Sequence, residues 1–179
     1  MKQAFLNDYY RMSGKVWSLS ISSIIYILTH HNIRFIFWWR IRAKKNTFLS
    51  KYAYFKLSRK YGLEISPSAK IGSGLYMGHP YNITIGDGVV IGNNCNIHKG
   101  ATVGVENRGI RLGAPKIGNQ VYIGINACII GKIQIGDDVL IAPGAYVNFD
   151  VPSHSLVIGN PGRIISRHHA TEGYIRNMV

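Results

Sequence analysis

The chain has 179 residues, with 21 Lys and Arg against 8 Asp and Glu, a formal net charge of +13. That length admits one domain with an extension, and a hydrophobic fraction of 46% is compatible with a packed core. Its two cysteines exclude a disulfide framework and a cysteine metal cluster, leaving Cys95 and Cys128 to read as small apolar filler.

The N-terminus, Met1 to Asp8, lacks the charged-then-apolar start and small-residue cleavage site of a signal peptide, so a cytoplasmic location is expected. Residues 1–62 hold twelve Lys and Arg and one acid, Asp8, for +11; residues 63–179 hold nine and seven, for +2. Such asymmetry implies an anionic partner for the first segment, a membrane surface or nucleic acid. No helix-turn-helix, RNA-binding or zinc-finger signature is present, which speaks against nucleic acid.

Residues 3–60 read as helices, with Phe5, Tyr9 and Met12 on one face. Val16 to Ile33 is eighteen residues without Lys, Arg, Asp or Glu, the lower edge of a bilayer span. Four serines, a Thr, an Asn and the pair His30-His31 make it a poor hydrocarbon-core segment. From Ile33 to Lys45 aromatics interleave with Arg and Lys. That pattern suits a helix lying peripherally on an anionic membrane, and equally a helix packing its aromatic face on a partner subunit. Thr47 to Tyr61 is a further basic, aromatic helix, and Gly62 is its stop signal.

Beyond residue 63 an aliphatic ladder sets the pattern: Ile65, Ile71, Met77, Ile85, Ile91, Ile97, Val103, Ile117, Ile123, Ile129, Ile135, Ile141 and Val147. The step is six residues, broken by two extra between Met77 and Ile85 and by eight extra between Val103 and Ile117. Small or aliphatic residues recur four places past the rungs, among them Ala69, Val89, Cys95, Ala101, Val121, Ala127 and Ala145. Glycine commonly follows the rung itself. A period of six suits a solenoid in which each hexad is one flat side and one corner: the rung points inward, glycine relaxes the corner, and the small residue fits the narrow interior. The second break, Gly104 to Lys116, is a protruding loop that a solenoid does not need for stability, and so a functional candidate.

Within the repeat only His79 and His98 are histidines. Acyl transfer from a thioester to a hydroxyl needs a base at the hydroxyl and donors for the developing oxyanion, and histidine titrates near working pH. Glu64 lies fifteen residues before His79 where one coil is eighteen, so the two could stack near each other; a surface His with an unrelated Glu fits the spacing as well.

The ladder resembles the hexapeptide-repeat acyltransferases, over residues 64–165. The resemblance implies a mainly β fold, a left-handed parallel β-helix preceded by the α-helical segment. The boundaries read as 1–62 for the helices, 63–165 for the solenoid and 166–179 for a tail. Glu64 to His79 looks like the serine acetyltransferase segment that carries the catalytic histidine, which makes His79 the general base and Glu64 its orienting partner. Two departures stand out: Gly78 replaces an Asp before the histidine, and Gly113-Ala114 replace an Arg-His pair in the loop. Those are the side chains that would hold serine's charged groups.

What remains resembles the serine acetyltransferase-like O-acetyltransferases of capsule and lipopolysaccharide synthesis. The shared stretches are Asp8-Tyr-Tyr-Arg11, Arg34 to Arg40, Asn107-Arg-Gly109 and Ala170 to Tyr174. A sugar hydroxyl is then the expected acceptor, with serine the alternative. The resemblance also implies acetyl-CoA as donor, no metal, and a closed homotrimer with CoA between neighbouring prisms. By family position Gly124, Ala142 and Gly144 would line the pantetheine, and Arg163, with Lys132 and Arg167, would meet CoA phosphate. Gly78, Tyr81, Asn82, His98, Asn107, Arg108 and Arg111 are the candidates for the acceptor side. A γ-type carbonic anhydrase shares the solenoid but needs three zinc histidines, more than the repeat offers. A trimeric scaffold docked to membrane by its basic N-terminus is the non-enzymatic rival.

Overall fold

The computed structural model describes residues 2–179. Four helices come first: α1 (Lys2–Ser13), α2 (Ile21–Thr29), α3 (His31–Lys44) and α4 (Phe48–Tyr61). Local signals set their ends. Ser20 accepts a hydrogen bond from the Ser23 amide at the start of α2, Thr47 does the same for Ser50 at α4, and Gly62 ends α4 in the left-handed region at φ +64°.

Fifteen short strands, β1 to β15, follow as a three-sided parallel β-helix. Sheet A stacks β1 (Leu63–Ile65), β4 (Ile83–Ile85), β7 (Thr102–Gly104), β10 (Cys128–Ile130) and β13 (Tyr146–Val147). Sheet B stacks β2 (Lys70–Ile71), β5 (Val90–Ile91), β8 (Lys116–Ile117) and β11 (Gln134–Ile135). Sheet C stacks β3 (Tyr76–Gly78), β6 (Asn96–His98), β9 (Tyr122–Ile123), β12 (Val139–Ile141), β14 (Ser155–Ile158) and the antiparallel β15 (Arg163–Ser166). Along sheet A the partners Leu63 and Ile83, Thr84 and Thr102, Thr102 and Cys128, and Cys128 and Tyr146 lie 20, 18, 26 and 18 residues apart. The two and eight extra residues therefore leave the coil as bulging loops while the register holds.

Twelve of the thirteen rungs are buried; Ile71, in the first coil, is half-buried. The small residues four places on are buried without exception, Ala69 to Val151. The corner glycines have a different reason from the one expected. Gly72 is not in the left-handed region, yet a Cβ there would lie 2.6 Å from the Gly92 carbonyl oxygen of the next coil. Gly92 meets Gly118 in the same way. Close approach of stacked corners, and no special φ, excludes side chains. Beside them runs a polar ladder: the Ser73 amide donates to Asn93 Oδ1 (2.9 Å), the Asn93 amide to Asn119 Oδ1 (2.8 Å), the Asn119 amide to Asp137 Oδ1 (2.6 Å) and the Asp137 amide to Ser153 Oγ (2.9 Å).

A solenoid's first coil has an open end that must be covered. Helices α1 and α3 cover it. Tyr9, Ile33, Phe35, Ile36 and Trp39 are buried in one core with the first rungs, and the Trp39 indole N–H donates to the Ser66 carbonyl at 3.1 Å. Asp8 and Arg40, both buried, form an ion pair; Asp8 also accepts from the Leu75 amide, and Arg40 donates to the Ile71 and Gly72 carbonyls. This narrows the expectation for α3. Much of its aromatic face is covered within the chain: Phe35 and Trp39 are spent on the chain's own first coil, and Phe37, half-buried, packs edge-on to Phe5 at 5.1 Å. Exposed apolar side chains lie instead on α2, where Ile21 is 78% and Leu28 60% exposed, and on α4, where Phe48 is 85% exposed. Among the described residues no helix is long and apolar enough to cross a membrane.

The tail returns along the outside of sheet C. Asp138 accepts from the Ala170 and Thr171 amides and the Thr171 hydroxyl, and Asn96 Nδ2 donates to the Tyr174 carbonyl at 3.2 Å.

Candidate functional site

His79 follows β3 at the corner between sheets C and A, exposed and at φ +48°. A non-glycine residue there is strained, and such strain collects at functional positions. Its side chain makes no hydrogen bond or ion pair among the described residues. Three further turns stack on this corner: the Gly100 amide donates to the Tyr81 carbonyl (2.9 Å), Asn126 to Lys99 (3.0 Å) and Gly144 to Ile125 (2.8 Å). Three strand spacings separate Gly144 from His79 along this column, about 14 Å.

Gly124 and Ala142 sit on the same column as Gly144. A Cβ at Gly124 would lie 2.7 Å from the Pro143 nitrogen, and the Ala142 amide donates to the Val157 carbonyl at 2.9 Å. Arg163, exposed, opens β15 opposite Ile158 at this edge of sheet C. The other two basic residues do not join them. Arg167 lies at the far edge, its amide donating to the His154 carbonyl at 2.8 Å, and Lys132 lies at the corner between sheets A and B, its amide donating to Arg111. A shared repeat position brings residues together only along one corner, and these two fall on others.

The protruding loop also springs from the A–B corner. It closes through paired bonds between Glu106 and Gly113 and a short 3-10 turn over Gly109–Arg111. Asn107 and Arg108 are exposed, their amides held by Glu106 Oε1. Within one chain Asn107, Arg108 and Arg111 stand at one edge of sheet A and His79 at the other. Glu64 is on β1, facing outward beside Thr84, and it forms no hydrogen bond with His79. The expected His–carboxylate pair is thus not formed, because the side chain at the middle of a sheet A strand is directed off the flat face rather than around the corner.

Tyr81 and Asn82 serve the junction of cap and coil. Tyr81 packs against His31 (4.9 Å between centroids) and Tyr61 (5.8 Å), and the Asn82 amide donates to the Tyr61 carbonyl. His31 stacks on Tyr61 at 4.3 Å, and burial pushes its pKa down. This cluster had no signal in the sequence, since His31 stands in a stretch with no charge or period to mark it.

His98, on β6 beside Gly78, lies over the glycine so closely that a Cβ at residue 78 would overlap its imidazole. It packs at 4.6 Å from Tyr122, and its Nε2 is buried without a partner. Burial first, and then the nearby His79, push its pKa down, so His98 is neutral near pH 7. Lys132 likewise covers Gly113, its Cβ 3.3 Å from where a Gly113 side chain would begin.

The repeat matches the family described as bacterial transferase hexapeptide (six repeats) over residues 114–148. Serine acetyltransferase 2 of Arabidopsis thaliana is 35% identical over 135 residues, 69% of this chain and 42% of that protein. The serine acetyltransferase of Synechococcus elongatus is 39% identical over 106 residues, 59% of this chain and 43% of that protein. The chain therefore spans less than half the length of these relatives. Among solved structures, Neisseria gonorrhoeae serine acetyltransferase superposes with a TM-score of 0.78 at 29% identity, covering 93% of this chain and 66% of that one. A serine acetyltransferase in complex with CoA gives 0.73 at 27% identity, over 90% and 68%.

These relatives overturn the expectation of a capsule or lipopolysaccharide O-acetyltransferase: the proteins and structures similar to this chain are serine acetyltransferases. Three of the four stretches behind that expectation prove to be fastenings. Asp8 and Arg40 pair in the cap, Arg11 bonds the Gly74 carbonyl, and Thr171 bonds Asp138. None of these contacts can specify an acceptor. The two departures from the serine acetyltransferase pattern are filled by His98 and Lys132, so they do not mark an emptied pocket. By fold and by repeat the chain is similar to the hexapeptide-repeat transferases: a three-sided parallel β-helix with the repeat matched over residues 114–148.

Proposed function

We propose that the chain moves an acetyl group from acetyl-CoA to the hydroxyl of serine, with His79 as general base. The observation that carries the proposal is the corner column: His79 and the backbone of Gly124, Ala142 and Gly144 stand in line on a solenoid whose structural neighbours include serine acetyltransferase bound to CoA. An extended pantetheine along the column would bring its thioester to His79. The imidazole accepts the serine hydroxyl proton as the oxygen attacks the thioester carbonyl. The tetrahedral adduct collapses by breaking the carbon–sulfur bond, and the imidazolium returns its proton to the departing CoA thiolate. No acyl-enzyme is needed: Cys95 is buried and its thiol is pushed up to about 11, and burial raises that of Cys128 too.

A homotrimer completes this reading. The loop with Asn107, Arg108 and Arg111 and the His79 corner stand at opposite edges of sheet A, so only a neighbouring prism could bring loop and base together. His98 and Lys132 occupy the space beside Gly78 and Gly113, where the acidic and basic side chains of the serine acetyltransferase pattern would begin. An anionic membrane would meet the α2 apolar face together with basic side chains of the helical segment, where ten of the twelve Lys and Arg of residues 1–62 remain at least partly exposed. The test is thiol release from acetyl-CoA by the full chain with L-serine, L-threonine or neither. Serine-dependent release supports the proposal; equal release without an acceptor, or with threonine alone, refutes it.

A further inference from the structure

A half-open cleft away from the His79 corner lies under the tail. It has a volume of about 480 Å³ between the end of α1, the outer face of sheet C and residues 173–177. That volume is in the range of small-molecule sites. Its walls are aromatic: Tyr76 and Tyr122 rise from the sheet, His98 stands between them, and Tyr174 leans on Tyr122 at 5.1 Å. Its charged lining is Arg11 and Arg176, and no carboxylate lines it.

Arg11 is the unusual feature. It is 3% exposed, and its hydrogen bonds go to neutral oxygens: the Gly74, Arg176 and Asn94 carbonyls and Asn96 Oδ1. Buried cations are ordinarily matched by an anion. The acid nearest in charge, Asp8, is held by Arg40. The guanidinium lies 5.9 Å from the Tyr76 ring centroid, which steadies it without neutralising it. Across the cleft the Arg176 side chain has no hydrogen bond or ion pair among the described residues, and His98 Nε2 is buried with no partner.

We infer that this cleft is a second small-molecule site, built for a small organic anion whose carboxylate or phosphate meets Arg11 and Arg176 while a flat body lies among the tyrosine rings. Arginine suits either oxyanion through its planar fork, and His98 Nε2 offers a hydrogen bond to the body. The tail forms one wall of the site, so occupancy would fasten residues 173–177 to sheet C. The inference does not depend on the acyl-transfer chemistry and is read without turnover.

The full chain is titrated by calorimetry with inorganic phosphate, citrate, adenosine 5′-monophosphate and adenosine. At least one anion binds saturably, one per chain, at concentrations up to about 10 mM, and adenosine binds more weakly than its monophosphate. Arg11→Ala removes a fastening of α1 and is exposed to misfolding, so Arg176→Glu, at an exposed side chain, is the deciding variant. It weakens binding roughly tenfold or more, while His79→Ala and saturating CoA leave binding unchanged. The inference is overturned if no anion binds saturably, if Arg176→Glu binds as well as the parent chain, or if CoA displaces the anion, which would place it at the His79 corner.

Discussion

The buried pair of Asp8 and Arg40 offers the sharpest test of how the cap is held. Asp8 is wholly buried and Arg40 is 7% exposed, and the two are joined through both carboxylate oxygens. Burial pushes the Asp8 carboxyl up, and Arg40 pulls against it. Breaking such a pair leaves one uncompensated charge, so Asp8→Asn costs about 3–5 kcal/mol, and Arg40→Met a similar amount. Replacing both, Asp8→Leu with Arg40→Met, leaves no buried charge. It still orphans the Leu75 amide, which donates to Asp8 at 2.8 Å, for about 1–3 kcal/mol. The double variant therefore loses far less than the roughly 6–10 kcal/mol that the single changes sum to. Urea unfolding at one fixed protein concentration, followed by tryptophan fluorescence, measures all three. A cost below 1 kcal/mol for Asp8→Asn, or additive costs in the double variant, would refute the reasoning.

Three further predictions concern the site, the tail and the α2 face. His79→Ala lowers kcat by roughly two to four orders of magnitude with CoA binding little changed, while Glu64→Gln, at a residue not bonded to the ring, costs far less; the reverse order in steady-state kinetics shows the base is misassigned. Asp138, whose burial is outweighed by hydrogen bonds from Thr171, His154 and Ala170, is held down to about 2. Its depressed value means the tail's anchor is fully present above the ordinary carboxylate pKa near 4 and is lost as pH falls towards 2, worth roughly 2 kcal/mol. Hydrogen exchange at the Ala170 and Thr171 amides checks this, and unchanged protection across that window counts against it. The full chain floats with anionic liposomes at low salt, and Ile21→Ser with Leu28→Ser abolishes flotation; flotation that survives those changes removes α2 as the contact.

The repeat was legible because its core is periodic. A hexad needs one inward aliphatic and one small residue, and both recur at fixed spacing from Ala69 to Val151. The two breaks were legible for the same reason, as added residues between Met77 and Ile85 and between Val103 and Ile117. Periodicity says nothing about which edge of a sheet a loop leaves from. Lys132, Arg167 and the loop arginines could therefore be named but not gathered. The cap misled in a further way. Arg34 to Arg40 reads as an amphipathic surface helix, but burial of Arg40 depends on Asp8, thirty-two residues earlier and on another helix. Local pattern cannot distinguish an arginine facing lipid phosphate from one facing a buried aspartate.

Gly78 carries the last step, because it decides whether this corner is a depleted version of the serine acetyltransferase site or a rebuilt one. Its backbone is not in the left-handed region, so alanine is excluded only by what it would strike. It would strike the His98 imidazole, which cannot simply rotate away: Tyr122 stands at 4.6 Å on one side, Tyr76 at 6.2 Å on the other, and Nε2 is already buried. Gly78→Ala alone should cost about 1–3 kcal/mol by overpacking. His98→Ala opens a gap beside Tyr122. Together the changes should compensate, with a coupling of about 1 kcal/mol or more. Gly78→Asp with His98→Ala then restores an acid before His79, and if the corner is rebuilt rather than depleted, this variant keeps more serine-dependent thiol release than His98→Ala alone. Additive costs for Gly78→Ala and His98→Ala would show that the ring moves freely, and the packing argument for His98 as the substitute side chain would fall with it.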